Sequence, residues 1–298
     1  MPIEHVSDTA RWVAVYRAME SERPDALFHD PFARRLAGDR GERIVAEMPR
    51  GQAAAWSMIV RTAVFDEIIL DAVTRGGADT VVNLAAGLDA RPWRLPLPPT
   101  LHWVDVDLPA ILAYKTEAIG DARPACRYEA IAADLTDDAA RDAVFARIGA
   151  ASRSALVVSE GLLVYLTAEQ AGALATALHE VPSFRRWLFD LASPRLLRMM
   201  QRMWGRRAAE GNAPFRFAPA EGPEFFRRYG WRLAEFRSGV AESWRLRREM
   251  RFGWLWRFVS RISGARRREE YHRMFGFVLL ERDDAPGEEH VPPGEVRH

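Results

Sequence analysis

The 298-residue sequence predicts an α/β fold, a doubly wound and mostly parallel sheet, on three observations. Short β-branched strands alternate with helices through the middle of the chain, the links between them are short, and a small-residue loop follows the first strand. That strand, 80–84, ends in Ala85-Ala86-Gly87; a second, 101–106, runs into two acids, Asp105 and Asp107, the latter 20 positions beyond Gly87. A tight loop that lets backbone approach a ligand, followed by a strand-end carboxylate for ribose hydroxyls, is how a Rossmann-type half-fold binds an adenosine cofactor. The loop does not fit a dinucleotide: G-x-G-x-x-G needs glycine where this chain has Ala85 and Ala90, and Arg91-Pro92 opens a pyrophosphate-binding helix poorly. An adenosyl cofactor without a pyrophosphate fits better, and S-adenosylmethionine is the obvious one.

The elements follow in order. Residues 8–37 read as helical, with Trp12, Val13, Tyr16 and Met19 near helical spacing and a break at Arg23-Pro24. Residues 52–74 form a stronger helix: Ile59, Ala63, Asp66-Glu67 and Leu70 follow the 3.6 period, and Gly76-Gly77 ends it. After the strands at 80–84 and 101–106 come helix 109–119, strand 127–133, helix 137–148, strand 154–159, helix 167–180 and strand 185–191. Residues 194–265 break the alternation, carrying Met199, Met200, Met203, Trp204, Trp244, Trp254 and Trp256 among many arginines. We read them as a mainly helical cap, with several of these tryptophans facing a methyl-acceptor pocket. A last apolar strand, Phe275 to Leu280, precedes a polar tail from about Asp283 that we expect to be disordered. The chain reads as one domain over 1–298: an N-terminal helical extension to about 50, a core of 51–193 plus 266–282, the cap 194–265 and the tail 283–298.

Composition bounds the function. At 48% hydrophobic the chain can bury a large core, and a net charge of +1, from 42 basic and 41 acidic residues, gives no global field toward nucleic acid or anionic lipid. The single cysteine, Cys126, excludes an internal disulfide and a cysteine-based zinc site. No apolar run approaches the ~18 residues of a membrane span, and MPIEHVSDTARW lacks the basic-then-apolar order of a signal peptide, so we expect a cytoplasmic chain. No H-E-x-x-H, G-x-S-x-G or P-loop pattern is present, and no metal set is expected. Lys115 is the only lysine; the arginine excess reads as codon bias and warns against taking each arginine as an anion site. The oligomeric state leaves no mark in the sequence.

Five blocks in order, YRAMESERPDALFHDPFARRLAG, RTAVFDEII, NLAAGLDARPWRL, VDVDLPAILAYK and SEGLLVYL, resemble the leucine carboxyl methyltransferase-like family of class I S-adenosylmethionine-dependent methyltransferases. The resemblance covers about residues 10–190 and implies an O-methyltransferase, in a family several of whose bacterial members act on polyketide-type carboxylates. It implies that Arg61 binds the methionine carboxylate of the cofactor, with Arg17 reaching the same group. Chemically, a planar two-pronged cation that never titrates suits that task, whereas a surface pair with Asp66 or Glu67 is the alternative for Arg61. Gly87 is the one glycine of the cofactor loop, and family members usually carry glycine where this chain has Ala85. If Ala85 keeps a negative φ the methyl costs little; if the loop needs positive φ it is strained. Asp89 and Arg91 read as braces of this loop.

Asp107 matches the family's ribose ligand, and strand alternation places Asp105 on the same side, so both acids could line the pocket. Asp107 also reads as a cap of the helix beginning at Leu108-Pro109. Asp134-Leu135 match the acid that bonds the adenine amine and the leucine that packs on the ring; from the residues alone Asp134 reads as a turn residue. Glu160, at the end of the fourth strand, can face the cofactor's ammonium or sulfonium. Tyr165 lines the acceptor pocket or packs in the core. Arg195, Arg198, Arg202 and Arg206 form one helical stripe, either a solvated face or a lid that attracts an acidic substrate. The sequence thus points to a small-molecule O-methyltransferase using S-adenosyl-L-methionine on a carboxylate or phenol, without nucleic acid. A nicotinamide-dependent oxidoreductase and a catalytically silent cofactor-binding protein are the alternatives.

Overall fold

A computed structural model describes residues 7–47, 51–210, 214–249 and 264–284. Seven strands form one sheet in the order β3-β2-β1-β4-β5-β7-β6. The strands are β1 (Thr80–Leu84), β2 (His102–Asp107), β3 (Arg127–Ala132), β4 (Ala155–Ser159), β5 (Phe184–Ala192), β6 (Trp231–Ser238) and β7 (Phe275–Arg282). The first five run parallel, and β7 lies antiparallel between β5 and β6. The two central strands, β1 and β4, are buried along their whole length, which explains why they read as unbroken apolar runs.

Alternation along the strands divides the core between two faces. Val82, Leu84 and Val157 pack toward Phe145 and Leu174 of α6 (Asp138–Ala150) and α7 (Ala168–His179). Val81, Leu156 and Val158 pack toward Val64, Phe65 and Ile69 of α3 (Gly51–Thr74). A third cluster joins α1 (Ser7–Ser21), α2 (Ala33–Glu47) and α5 (Pro109–Ile119) through Trp12, Tyr16, Leu36 and Ile119, with the one-turn α4 (Arg91–Arg94) lying between β1 and β2 in the chain. The chain order reverses between β1 and β4, so the loops leaving their carboxyl ends diverge and open a crevice there. No helix among the described residues is long and apolar enough to cross a membrane.

The helical stretch expected over 8–37, with its break at Arg23-Pro24, is two helices, and the second runs on to Glu47. Past Arg23-Pro24 the chain turns, and its backbone is held by side chains: Glu20 accepts from Leu27 N at 2.8 Å, and Ser21 Oγ from Asp30 N at 2.8 Å. Asp30 in turn accepts from Phe32 N at 3.0 Å.

The expected helical cap over 194–265 is corrected at one place. It begins with α8 (Pro194–Glu210), but Trp231–Ser238 is the edge strand β6, followed by the short helix Gly239–Arg245. Only Trp231 of β6 is fully buried; the charges of Arg232, Glu235 and Arg237 give it the polar look of an edge strand, which hides it from a search for apolar runs. Trp244 is half-buried and packs edge-on against His272. Trp254, Trp256 and most of the polar tail lie outside the described residues, as does the Trp204 side chain.

Candidate active site

The crevice at the carboxyl ends of β1 and β4 is a cavity of about 1790 Å³. Its wall includes Arg17, Arg61, Ala85, Gly87, Asp107, Asp134, Leu135, Glu160 and Tyr165, so nine of the ten residues that the sequence assigns to the cofactor or to the acceptor pocket meet here. The tenth does not. Asp105 is fully buried and accepts hydrogen bonds from Lys115 Nζ at 2.6 Å, Tyr128 Oη at 2.8 Å, Trp103 Nε1 at 2.9 Å and Asn83 Nδ2 at 3.0 Å. Its lone pairs are committed inside the protein, so the expectation of two pocket-lining acids is corrected to Asp107 alone.

Both Ala85 and Gly87 adopt left-handed backbone, at φ +50° and +52°. The turn lets Gly87 N donate to Asp107 Oδ2 at 2.6 Å, while Leu108 N donates to Oδ1 at 2.7 Å. Leu108, not Asp107, is the N-cap of α5, so the carboxylate clasps the β1 loop instead of capping the helix. Burial raises the Asp107 pKa above the ordinary carboxylate value, against the two backbone amides that lower it. Arg17 reaches the same loop from α1, donating from Nη2 to Leu88 O at 2.6 Å and from Nε to Asp30 at 2.8 Å.

Behind the loop lies a connected set of buried ion pairs. Arg91 binds Asp66 at 2.6 Å, Asp89 at 2.8 Å and Glu160 at 2.7 Å. Burial opposes the charge on Arg91, but the three carboxylates outweigh it and hold it firmly protonated. Asp66 also pairs with Arg94, which lies 4.0 Å from Asp30. Asn83 bridges Asp89 and Asp105, joining Lys115 to the set. The bracing role read for Asp89 and Arg91 is what the geometry shows, and Arg61 does not pair with Asp66.

Arg61 instead faces the sheet. Its Nε donates to Glu160 at 3.0 Å and its Nη1 to Asp190 at 3.1 Å. Gly161 N donates to the other oxygen of Asp190 at 2.6 Å. A Cβ at Gly161, whose φ is +69°, would stand 3.0 Å from Arg61 Nη1, so glycine is what lets the guanidinium lie against this turn. Burial would raise the Glu160 pKa, yet Arg91 and Arg61 hold it below the ordinary glutamate value. Asp190, at the end of β5, was not picked out from the sequence, although it is a strand-end acid like Glu160 and the same signal applies to it.

Asp134 is exposed and accepts from Thr136 N at 2.9 Å and Thr136 Oγ1 at 2.7 Å, the turn reading, while keeping its place on the cavity wall. Tyr165 stacks on Phe215 with centroids 5.7 Å apart and shares a hydrogen bond with Thr9 of α1; burial raises its pKa. Trp12 and Trp56 line the cavity, whereas Trp244 does not. Arg195, Arg198 and Arg202 of α8 also lie on its wall. No group of acids, histidines or cysteines among the described residues could hold a metal ion.

Sheet order and crevice define the class I methyltransferase fold, and comparison with known proteins agrees. The model of the leucine carboxyl methyltransferase family matches residues 10–179, and this chain belongs to that family. It is 33% identical over 261 residues to a protein of Mycobacterium avium strain 104 provisionally named an S-adenosyl-L-methionine-dependent methyltransferase, covering 78% of this chain and 83% of that one. A relative of the same provisional name from Parafrankia is 40% identical over 181 residues, and the match spans 57% of this chain but only 58% of the relative. Among solved structures, a DUF574 family protein from Streptomyces avermitilis superposes with a TM-score of 0.60 at 14% identity, over 92% of this chain and 97% of that one.

Ala85 supplies a test of the loop. An L-residue in left-handed backbone costs roughly 1–2 kcal/mol, and glycine's extra unfolded freedom returns roughly 0.5–1. Ala85→Gly is therefore expected to raise stability by up to about 1.5 kcal/mol in denaturant unfolding. A clear loss of stability would contradict the left-handed assignment.

Proposed function

We propose that this chain binds S-adenosyl-L-methionine in the crevice and transfers its methyl group to an oxygen, a carboxylate in preference to a phenol, of a small apolar or polyketide-like molecule. The observation that carries the reading is the charge pattern at the carboxyl ends of β1, β4 and β5. Arg61 donates to two acids through Nε and Nη1, and its Nη2 carries no hydrogen bond among the described residues. That nitrogen is a donor for the methionine carboxylate, and Glu160 and Asp190 beside it are acceptors for the ammonium. Asp107 holds the loop with one lone pair on each oxygen and has others for the ribose hydroxyls. Asp134 and Leu135 lie on the same wall for the adenine edge and face.

The cofactor supplies an already activated methyl group on a sulfonium. The protein's part is to align an acceptor oxygen with it and to keep water out. Trp12, Trp56, Phe215 and Tyr165 give the cavity aromatic walls. A carboxylate acceptor is ionised at neutral pH and needs no base. The acids around Arg61 and Arg91 are all committed to guanidinium partners, which suits an acceptor that arrives deprotonated. A nicotinamide cofactor has no amino-acid carboxylate or ammonium and would leave the Arg61–Glu160–Asp190 cluster without a task.

Incubation with methyl-labelled cofactor and a panel of aromatic and long-chain acids is expected to yield base-labile methyl esters. Label transferred only to nitrogen, or only to nucleic acid, would contradict the reading. A pH series isolates Asp107. Ribose hydroxyls favour its ionised form, so binding of S-adenosylhomocysteine is expected to weaken as pH falls toward its pKa, which burial raises above the ordinary aspartate value. Asp107→Asn should bind more weakly at neutral pH and lose that acid limb; an unchanged limb would remove Asp107 from the ligand set.

A further inference from the structure

We propose that α8 carries a second recognition site, at which Arg198 and Arg202 hold an anionic group of the acceptor that is not the group methylated. The acceptor is then an apolar molecule with a permanent anion of phosphate or sulfonate type at one end and the reacting oxygen at the other. This inference rests on the methyltransferase reading above and specifies its substrate class.

The cavity's arginines fall into two kinds. Arg17, Arg61 and Arg91 are buried and bound to acids. Arg195, Arg198 and Arg202 are exposed on the cavity wall, and no carboxylate among the described residues pairs with any of them. Their spacing of three and four residues puts them in one row along α8. Met199 and Met203, 43% and 39% exposed, stand on the same wall, a mixture of cations and adaptable apolar side chains suited to an amphiphile. Arg216, also exposed, adds a further cation beside Phe215 on that wall.

Position separates this row from the reacting centre. α8 starts just after β5, so Arg195 is five residues from Asp190, and Arg202 lies about 10 Å farther along the helix axis at 1.5 Å per residue. At about 1790 Å³ the cavity exceeds the ~300–1,000 Å³ of a typical small-molecule pocket, which leaves room for an acceptor beyond the cofactor. Chemistry separates them again. A guanidinium fork on the reacting carboxylate would withdraw the lone pair that must attack the methyl group, and would lose its hold once the neutral ester formed. A cation row therefore serves an anion that survives the reaction.

The test uses 2-naphthyl phosphate and uncharged 2-naphthol as probes, titrated calorimetrically into protein saturated with S-adenosylhomocysteine. The phosphate is expected to bind at least about tenfold tighter than the naphthol, as charge-assisted hydrogen bonds imply. Arg198→Gln with Arg202→Gln should reduce that ratio to below about threefold and leave S-adenosylhomocysteine binding unchanged. Equal binding of the two probes by the unmodified protein, or an unaltered ratio in the double variant, would overturn the proposal. Failure of the unmodified protein to bind S-adenosylhomocysteine at all would instead overturn the methyltransferase reading, whatever the probes do.

Discussion

The site depends on the buried guanidinium of Arg91. It joins three carboxylates from three separate elements: Asp66 on α3, Asp89 in the β1 loop and Glu160 at the end of β4. A single planar group thereby fixes the cofactor loop against the neighbouring strand and against the helix beneath both. Removing one member of such a buried set typically costs about 3–5 kcal/mol, because the remaining charges lose their partners in a medium that solvates them poorly. Arg61 extends the set by sharing Glu160 and adding Asp190. The direction of the Glu160 pKa shift follows from this arrangement: burial raises it, and the guanidiniums of Arg91 and Arg61 outweigh that and lower it.

Taken as a whole, the connected set is not neutral. Its cations are Arg17, Arg61, Arg91, Arg94 and Lys115; its anions are Asp30, Asp66, Asp89, Asp105, Glu160 and Asp190, one more than the cations. A ligand carrying one net positive charge balances it. S-adenosylmethionine, with an ammonium, a carboxylate and a sulfonium, is such a ligand, and its demethylated product has lost that charge. Charge is partitioned in the cavity, negative at the sheet and positive on the helix that follows β5.

Much of this was legible in the sequence, for identifiable reasons. Gly87, Asp107 and Glu160 sit where strands end, and a parallel sheet brings its strand ends together, so local pattern sufficed to place them. Asp105 was misplaced because alternation reports the side of a strand and not the depth: two residues back from the end, it lies where Lys115 and Tyr128 reach it first. The strand β6 escaped because an edge strand can be charged on most of its length. The Arg61–Asp190 and Arg91–Glu160 pairs join residues 129 and 69 positions apart, a relation no local window contains. Sequence alone leaves the backbone of Ala85 open between negative and positive φ, and φ +50° decides it in favour of a left-handed turn.

The most direct measurement of the central claim is calorimetric titration of the unmodified protein with S-adenosylmethionine, S-adenosylhomocysteine and NAD under one buffer condition. On the proposed reading, a site whose connected ion pairs hold one more acid than base, with Arg61 Nη2 open to a carboxylate and no pyrophosphate loop, should bind both adenosyl compounds. It should favour the positively charged one and show no heat with NAD. Binding of NAD, or the absence of binding by either adenosyl compound, would contradict the account.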